Sequence, residues 1–132
     1  MGGAQALQRD NAEDTVGSVA ERSRPIDLVH LARYTLGDRA LESEILQLFR
    51  AQAGIYMDRL KSASDGRSWR EAAHTIKGSA RGIGAWGVAQ AAEAAERLAD
   101  GPADPAAQAT AAILDSGVKQ VIGYIDELLA AA

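Results

Sequence analysis

Glu71-Ala-Ala-His74-Thr-Ile-Lys77-Gly78-Ser79-Ala80-Arg81-Gly82-Ile83-Gly84-Ala85 holds one of only two histidines in the chain. Just upstream, Ser68-Trp-Arg-Glu71 matches the S-x-x-E capping box, which predicts a helix starting just after Ser68 with His74 on its second turn. At about 100° of rotation per residue, Lys77, Gly78, Arg81 and Arg70 fall within roughly 60° of His74. Trp69, Ala72, Ile76, Ala80 and Ile83 gather near the opposite side. One face is therefore built for burial against other helices, and the other carries the imidazole towards solvent.

That exposed face has the parts a phosphoryl acceptor needs. A neutral ring nitrogen is a nucleophile near physiological pH, and histidine forms covalent intermediates. Lys77 and Arg81 can attract an incoming phosphoryl group and offset the charge it leaves on the ring, each contact worth about 0.5 kcal/mol when fully exposed. Arg70 adds a third cation on the same side. Gly78 and Gly82 leave bare helix beside the ring, where a partner protein can approach closely.

Working outward, Pro25-Ile-Asp27 reads as a helix start, and Leu28, Leu31, Ala32 and Leu36 form an apolar stripe that Gly37 ends. Asp38 caps a long second helix with Leu41, Ile45, Leu48, Gln52, Ile55 and Leu60 on one side, widened by Phe49 and Tyr56 and stopped at Asp65-Gly66. The His74 helix breaks near Gly82-Ile83-Gly84, with Gly84 serving the turn. Residues 85 to 99 then read as a fourth helix packed through Val88, Ala91, Ala92, Ala95 and Leu98, with Glu93, Glu96 and Arg97 polar. After the loop from Asp100 to Asp104, Asp104-Pro105 opens a last helix using Ala109, Ile113, Val121, Ile125 and Leu128. The expected fold is all-α, an antiparallel up-down four-helix bundle with a short additional N-terminal helix. Residues 25–132 form that domain, and residues 1–24 read as a polar tail in which a short helix over residues 4 to 22 is conceivable.

Composition narrows the function classes. A chain of 132 residues fits one domain with a single core. Without cysteine there is neither a disulfide framework nor a thiolate metal site. A net charge of −4 and the lack of a basic run argue against nucleic acid as the main partner. No leader pattern or membrane-length apolar run is present, so a cytoplasmic protein without membrane association is the expectation. Eleven of the fourteen basic residues are arginine and alanine is abundant, a composition that points to a GC-rich bacterial genome.

Ala73-His74-Thr-Ile-Lys77-Gly78-Ser79-Ala80 followed by Ile83-Gly84-Ala85 closely resembles the signature of histidine phosphotransfer (HPt) domains, the carriers of multistep two-component phosphorelays. Leu36-Gly37-Asp38 and the later Leu48-Phe49 resemble the family's leader and first long helix. The resemblance implies that His74 is the phosphorylated residue, Lys77 the basic residue beside the phosphate, and Gly78 the small residue that clears room for a receiver domain. It also implies a stand-alone monomer whose partners are receiver domains of response regulators or hybrid histidine kinases. Such a carrier has no cofactor of its own, and Mg²⁺ is expected on the partner receiver. The chain has no Walker-type loop and no ATP-lid motif, so it is not expected to phosphorylate itself.

Two other readings compete. The same domain could serve as a non-phosphorylated helical adaptor for a receiver or kinase. Glu71-x-x-His74 also echoes di-iron bundle proteins, but those need a second Glu-x-x-His and further inward glutamates, and the nearest echo is Asp27-x-x-His30. No metal site is expected.

Overall fold

The His74 helix is set by its two ends. Asp65 caps it, accepting from the Ser68 N–H at 2.8 Å and from the Ser68 hydroxyl, and Gly84 closes it in the left-handed conformation at φ +78°. In the computed structural model, which describes residues 24–131, this helix, α3, runs Gly66–Ile83. The start expected after Ser68 thus lies three residues earlier. Glu71 does not reach back to cap but pairs with Arg67. Asp65, read from sequence as the stop of the preceding helix, instead begins this one, because an aspartate ahead of a helix satisfies an otherwise orphaned N–H.

Four further helices surround it. They are α1 Leu28–Thr35, α2 Arg39–Lys61, α4 Trp86–Glu96 and α5 Ala107–Ala131. A 3₁₀ turn, Gly101–Ala103, tucks against the start of α3, where a Cβ on Gly101 would fall 2.7 Å from the Gly66 Cα. Helices α2 to α5 form the antiparallel up-down bundle and α1 is the short additional helix; among the described residues there is no strand. Helix α1 is pinned across the α3–α4 turn. Asp27 donates its N–H to the Gly84 carbonyl at 2.9 Å, and its carboxylate accepts from Trp86 Nε1 at 3.0 Å. The His30 ring meets Trp86 edge-on, which gives the second histidine a structural place. Nearly all of the tail read at residues 1–24, and the helix conceivable within it, lie outside the described residues.

The core is made of Leu46, Phe49, Ala53, Met57 and Leu60 of α2, Trp69, Ala72, Ala73, Ile76, Ala80 and Ile83 of α3, and an alanine-rich face of α4. From α5 come Leu114, Val118, Val121 and Ile125. Trp69 donates its ring N–H to the Ala95 carbonyl at 2.7 Å, which satisfies the one polar atom of a buried indole and ties α3 to the end of α4.

The core face expected for α3 is the buried one, but the stripe expected for α2 is buried only in part: Phe49 and Leu60 lie in the core and Ile45 and Tyr56 pack against it, while its other members face solvent. Leu41, Leu48 and Ile55 are 38%, 56% and 51% exposed, and Gln52 is exposed too. Counted around the helix, they lie about 110° to 170° from the buried set. Two apolar stripes run along α2, and burial selects the one that faces α3 and α5. In α5 the expected Ile113 is exposed while its neighbour Leu114 is buried. Leu36, expected in the first stripe, is exposed because it is the left-handed cap that ends α1 at φ +55°.

Candidate functional site

His74 projects from the middle of α3 with its side chain 68% exposed, as the helical periodicity requires. Its Nδ1 lies 2.8 Å from Oε2 of Glu96, the last residue of α4. Lys77, one turn on, places its ammonium 2.6 Å from the other oxygen of the same carboxylate. That oxygen is shut off from solvent and lacks a well-angled hydrogen bond, so the Lys77 contact acts chiefly as an ion pair. The Lys77 ammonium beside it is the main influence holding Glu96 below the usual carboxylate range; burial works against it, and His74 assists.

This geometry decides which ring nitrogen is free. An ionised carboxylate can only accept, so Nδ1 must be the protonated nitrogen and donates to Glu96. Nε2 then keeps its lone pair and points outward. Glu96 both fixes the tautomer and faces the positive charge that would develop on the ring as Nε2 attacks an electrophile.

The other expected site residues are arranged unequally. Arg81 reaches towards Glu93 at 3.8 Å, while Arg97 holds the same carboxylate at 2.8 Å. Arg70 donates to the Ala99 carbonyl at 2.8 Å, tying α3 to the segment after α4. Gly78 is exposed, and a Cβ built on it would meet nothing within 4 Å. Its backbone is ordinary helix, so alanine there would be favoured by about 1 kcal/mol on propensity alone. Gly82, on the same side, is equally open.

The sequence reading gives Glu96 no role at the site beyond being a polar residue of its helix. Glu93 and Glu96 are the two acidic residues of α4, three positions apart in an alanine-rich helix, and that spacing marks the polar edge turned towards α3. What it cannot show is which residue of α3 they meet. On the other side, a groove of about 860 Å³ runs from His74 to the α2 end, lined by Tyr56, Arg59, Arg67 and Thr75 among others.

A family model described as Hpt domain matches residues 44–131. Among solved structures, the crystal structure of histidine phosphotransferase ShpA from Caulobacter crescentus is similar, with a TM-score of 0.61 and 28% identity over 81% of this chain and 96% of that one. No curated protein sequence matches.

Proposed function

This chain belongs to the Hpt domain family, a phosphotransfer carrier of two-component signalling, and from that premise we propose that it carries its phosphoryl group on Nε2 of His74, between receiver-domain aspartates. The observation that supports this most directly is the Glu96 hydrogen bond, which ties down Nδ1 and leaves Nε2 as the exposed lone pair. In the forward step the Nε2 lone pair forms a bond to phosphorus while the bond from phosphorus to the aspartyl oxygen breaks, and the aspartate leaves as a carboxylate. The Nδ1 proton stays on the ring, opposite Glu96. The transition state is loose and roughly in line, so positioning and nearby charge carry most of the effect. Lys77 sits where it can turn from Glu96 to the phosphoryl oxygens, with Arg81 and Arg70 as outlying cations.

The receiver lies over the α2 side of His74 in this reading. There Gly78 and Gly82 leave the helix bare, and the outward stripe of Leu41, Leu48 and Ile55 supplies apolar surface to cover. The protein works as a cytoplasmic monomer of bacterial origin, with Mg²⁺ held by the receiver and ATP used elsewhere in the relay. Among the described residues no helix is long and apolar enough to cross a membrane.

The test is to mix the full chain with phosphorylated receiver domains and map the site of acid-labile phosphate by mass spectrometry. Phosphate on His74 of the wild type and none on a folded His74→Gln variant is the expected result. Binding without phosphate across a broad panel would favour the adaptor reading instead.

A further inference from the structure

Around His74 the cations are almost all engaged. Lys77 is held by Glu96, Arg81 and Arg97 by Glu93, Arg67 by Glu71, and Arg70 by the Ala99 carbonyl. Arg59 differs. It is exposed and has no acidic partner among the described residues, yet its guanidinium is held over the Tyr56 ring at 4.7 Å from the ring centre. Stacking of this kind keeps a charged fork extended and in place without neutralising it. Arg59, Arg67 and Arg70 line the groove that ends at His74, and the acids there, Glu71 and Glu96, are already paired. In a chain of net charge −4 this groove is a local positive exception.

We propose that the groove between α2 and α3 receives an acidic strip of the receiver domain beside its phosphorylated aspartate, with Arg59 as the residue that sets the rate of encounter and helps select the partner. The inference rests on the phosphotransfer reading for the identity of the partner, and charge complementarity singles out the side of approach. On the α4 flank an acidic partner would meet Glu93 and Glu96; on the α2 flank it meets an unspent guanidinium able to take a carboxylate through two parallel hydrogen bonds. Clefts lined by one sign of charge raise association rates, while charges at a rim have little effect on the bound state. Arg59 therefore acts before the phosphoryl group moves.

The experiment uses the full chain and the purified receiver domain that labels His74 fastest in a panel, loaded with beryllofluoride so that binding is read without transfer. Wild type, Arg59→Gln, Arg59→Glu and Arg39→Glu are compared by stopped flow at low and high salt. Arg39 is exposed at the opposite end of α2 and controls for net charge. The expected result is an association rate lowered about tenfold by Arg59→Glu at low salt, less by Arg59→Gln, and hardly at all by Arg39→Glu, with the differences shrinking at high salt. Equal effects of Arg59→Glu and Arg39→Glu, or no effect of either, would overturn the assignment. Transfer to His74 is scored separately. If no receiver in the panel labels His74, the tightest binder takes its place, and an Arg59 effect there keeps the groove as a docking site while the carrier reading falls.

Discussion

The two flanks of His74 are built from different materials. Towards α4 there are two clusters of ion pairs, Lys77 with Glu96, which holds the ring, and Arg81 and Arg97 with Glu93, and few polar groups are left unmatched. Towards α2 the surface is bare glycine, exposed leucine and isoleucine, and Arg59, which has no acidic partner among the described residues. The first flank can prepare a nucleophile but has little left to offer a partner. The second prepares nothing chemically, yet it offers apolar area, steric room and charge. Chemistry and recognition are thus separable on one short stretch of helix.

If that division holds, substitutions on the two flanks should move different kinetic parameters. The largest effect belongs to the α4 flank: Glu96→Ala frees the ring and releases Lys77, and should slow transfer at saturating receiver by about 10- to 100-fold, as losing the partner of a working histidine commonly does. Rapid-quench kinetics at several receiver concentrations would check it. A defect that disappears at saturation would place Glu96 in docking and break the comparison.

Next comes the outward stripe. Leu48→Asp together with Ile55→Asp should weaken receiver binding about 5- to 30-fold, on the scale of about 1–2 kcal/mol for apolar interface contacts. Stability should change by no more than about 0.5 kcal/mol for each, as expected for exposed sites. Calorimetric binding and denaturant unfolding on the same samples separate the two outcomes. A large loss of stability would mean that the stripe packs within the domain.

Gly78 sharpens the contrast further. Gly78→Ala should raise stability by up to about 1 kcal/mol, because an open helical position gains from the lower backbone entropy cost. Gly78→Phe should keep the fold and raise KM for the receiver. Thermal unfolding and transfer assays would show whether stability and docking move in opposite directions there.

The smallest effect is on acid stability. Glu96 is held below the usual carboxylate range mainly by the Lys77 ammonium beside it. A lowered native pKa stabilises the fold above the unfolded value of about 4.3, and that contribution is lost as the pH falls through the native value. Wild type should lose stability more steeply than Glu96→Gln as the pH drops below about 4.3. Parallel curves in urea titrations would remove the carboxylate from the account.

How legible all this was depends on how one-sided each helix is. Helix α3 places alanine, tryptophan and isoleucine on one side and charge on the other, so its buried face and the outward His74 follow from periodicity alone. Helix α2 carries two apolar stripes. Periodicity ranks Leu41, Leu48 and Ile55 alongside the real core, and one of the stripes was bound to be misassigned. The boundary at Asp65 was misread for a related reason: Asp-Gly can end a helix or begin one, and only the hydrogen bond to Ser68 decides.

By itself the sequence determined an all-helical bundle, an outward histidine with Lys77 and Gly78 on its exposed side, and the family that spacing resembles. These are local properties, set by rotation per residue and by caps within a single helix. The tertiary structure alone decided that Glu96, twenty-two residues further on, grips Nδ1, that Arg59 and Arg67 share one groove, and that α2 turns its second apolar stripe to solvent. Each depends on the rotation of one packed helix relative to another, which the contacts of the whole core fix together.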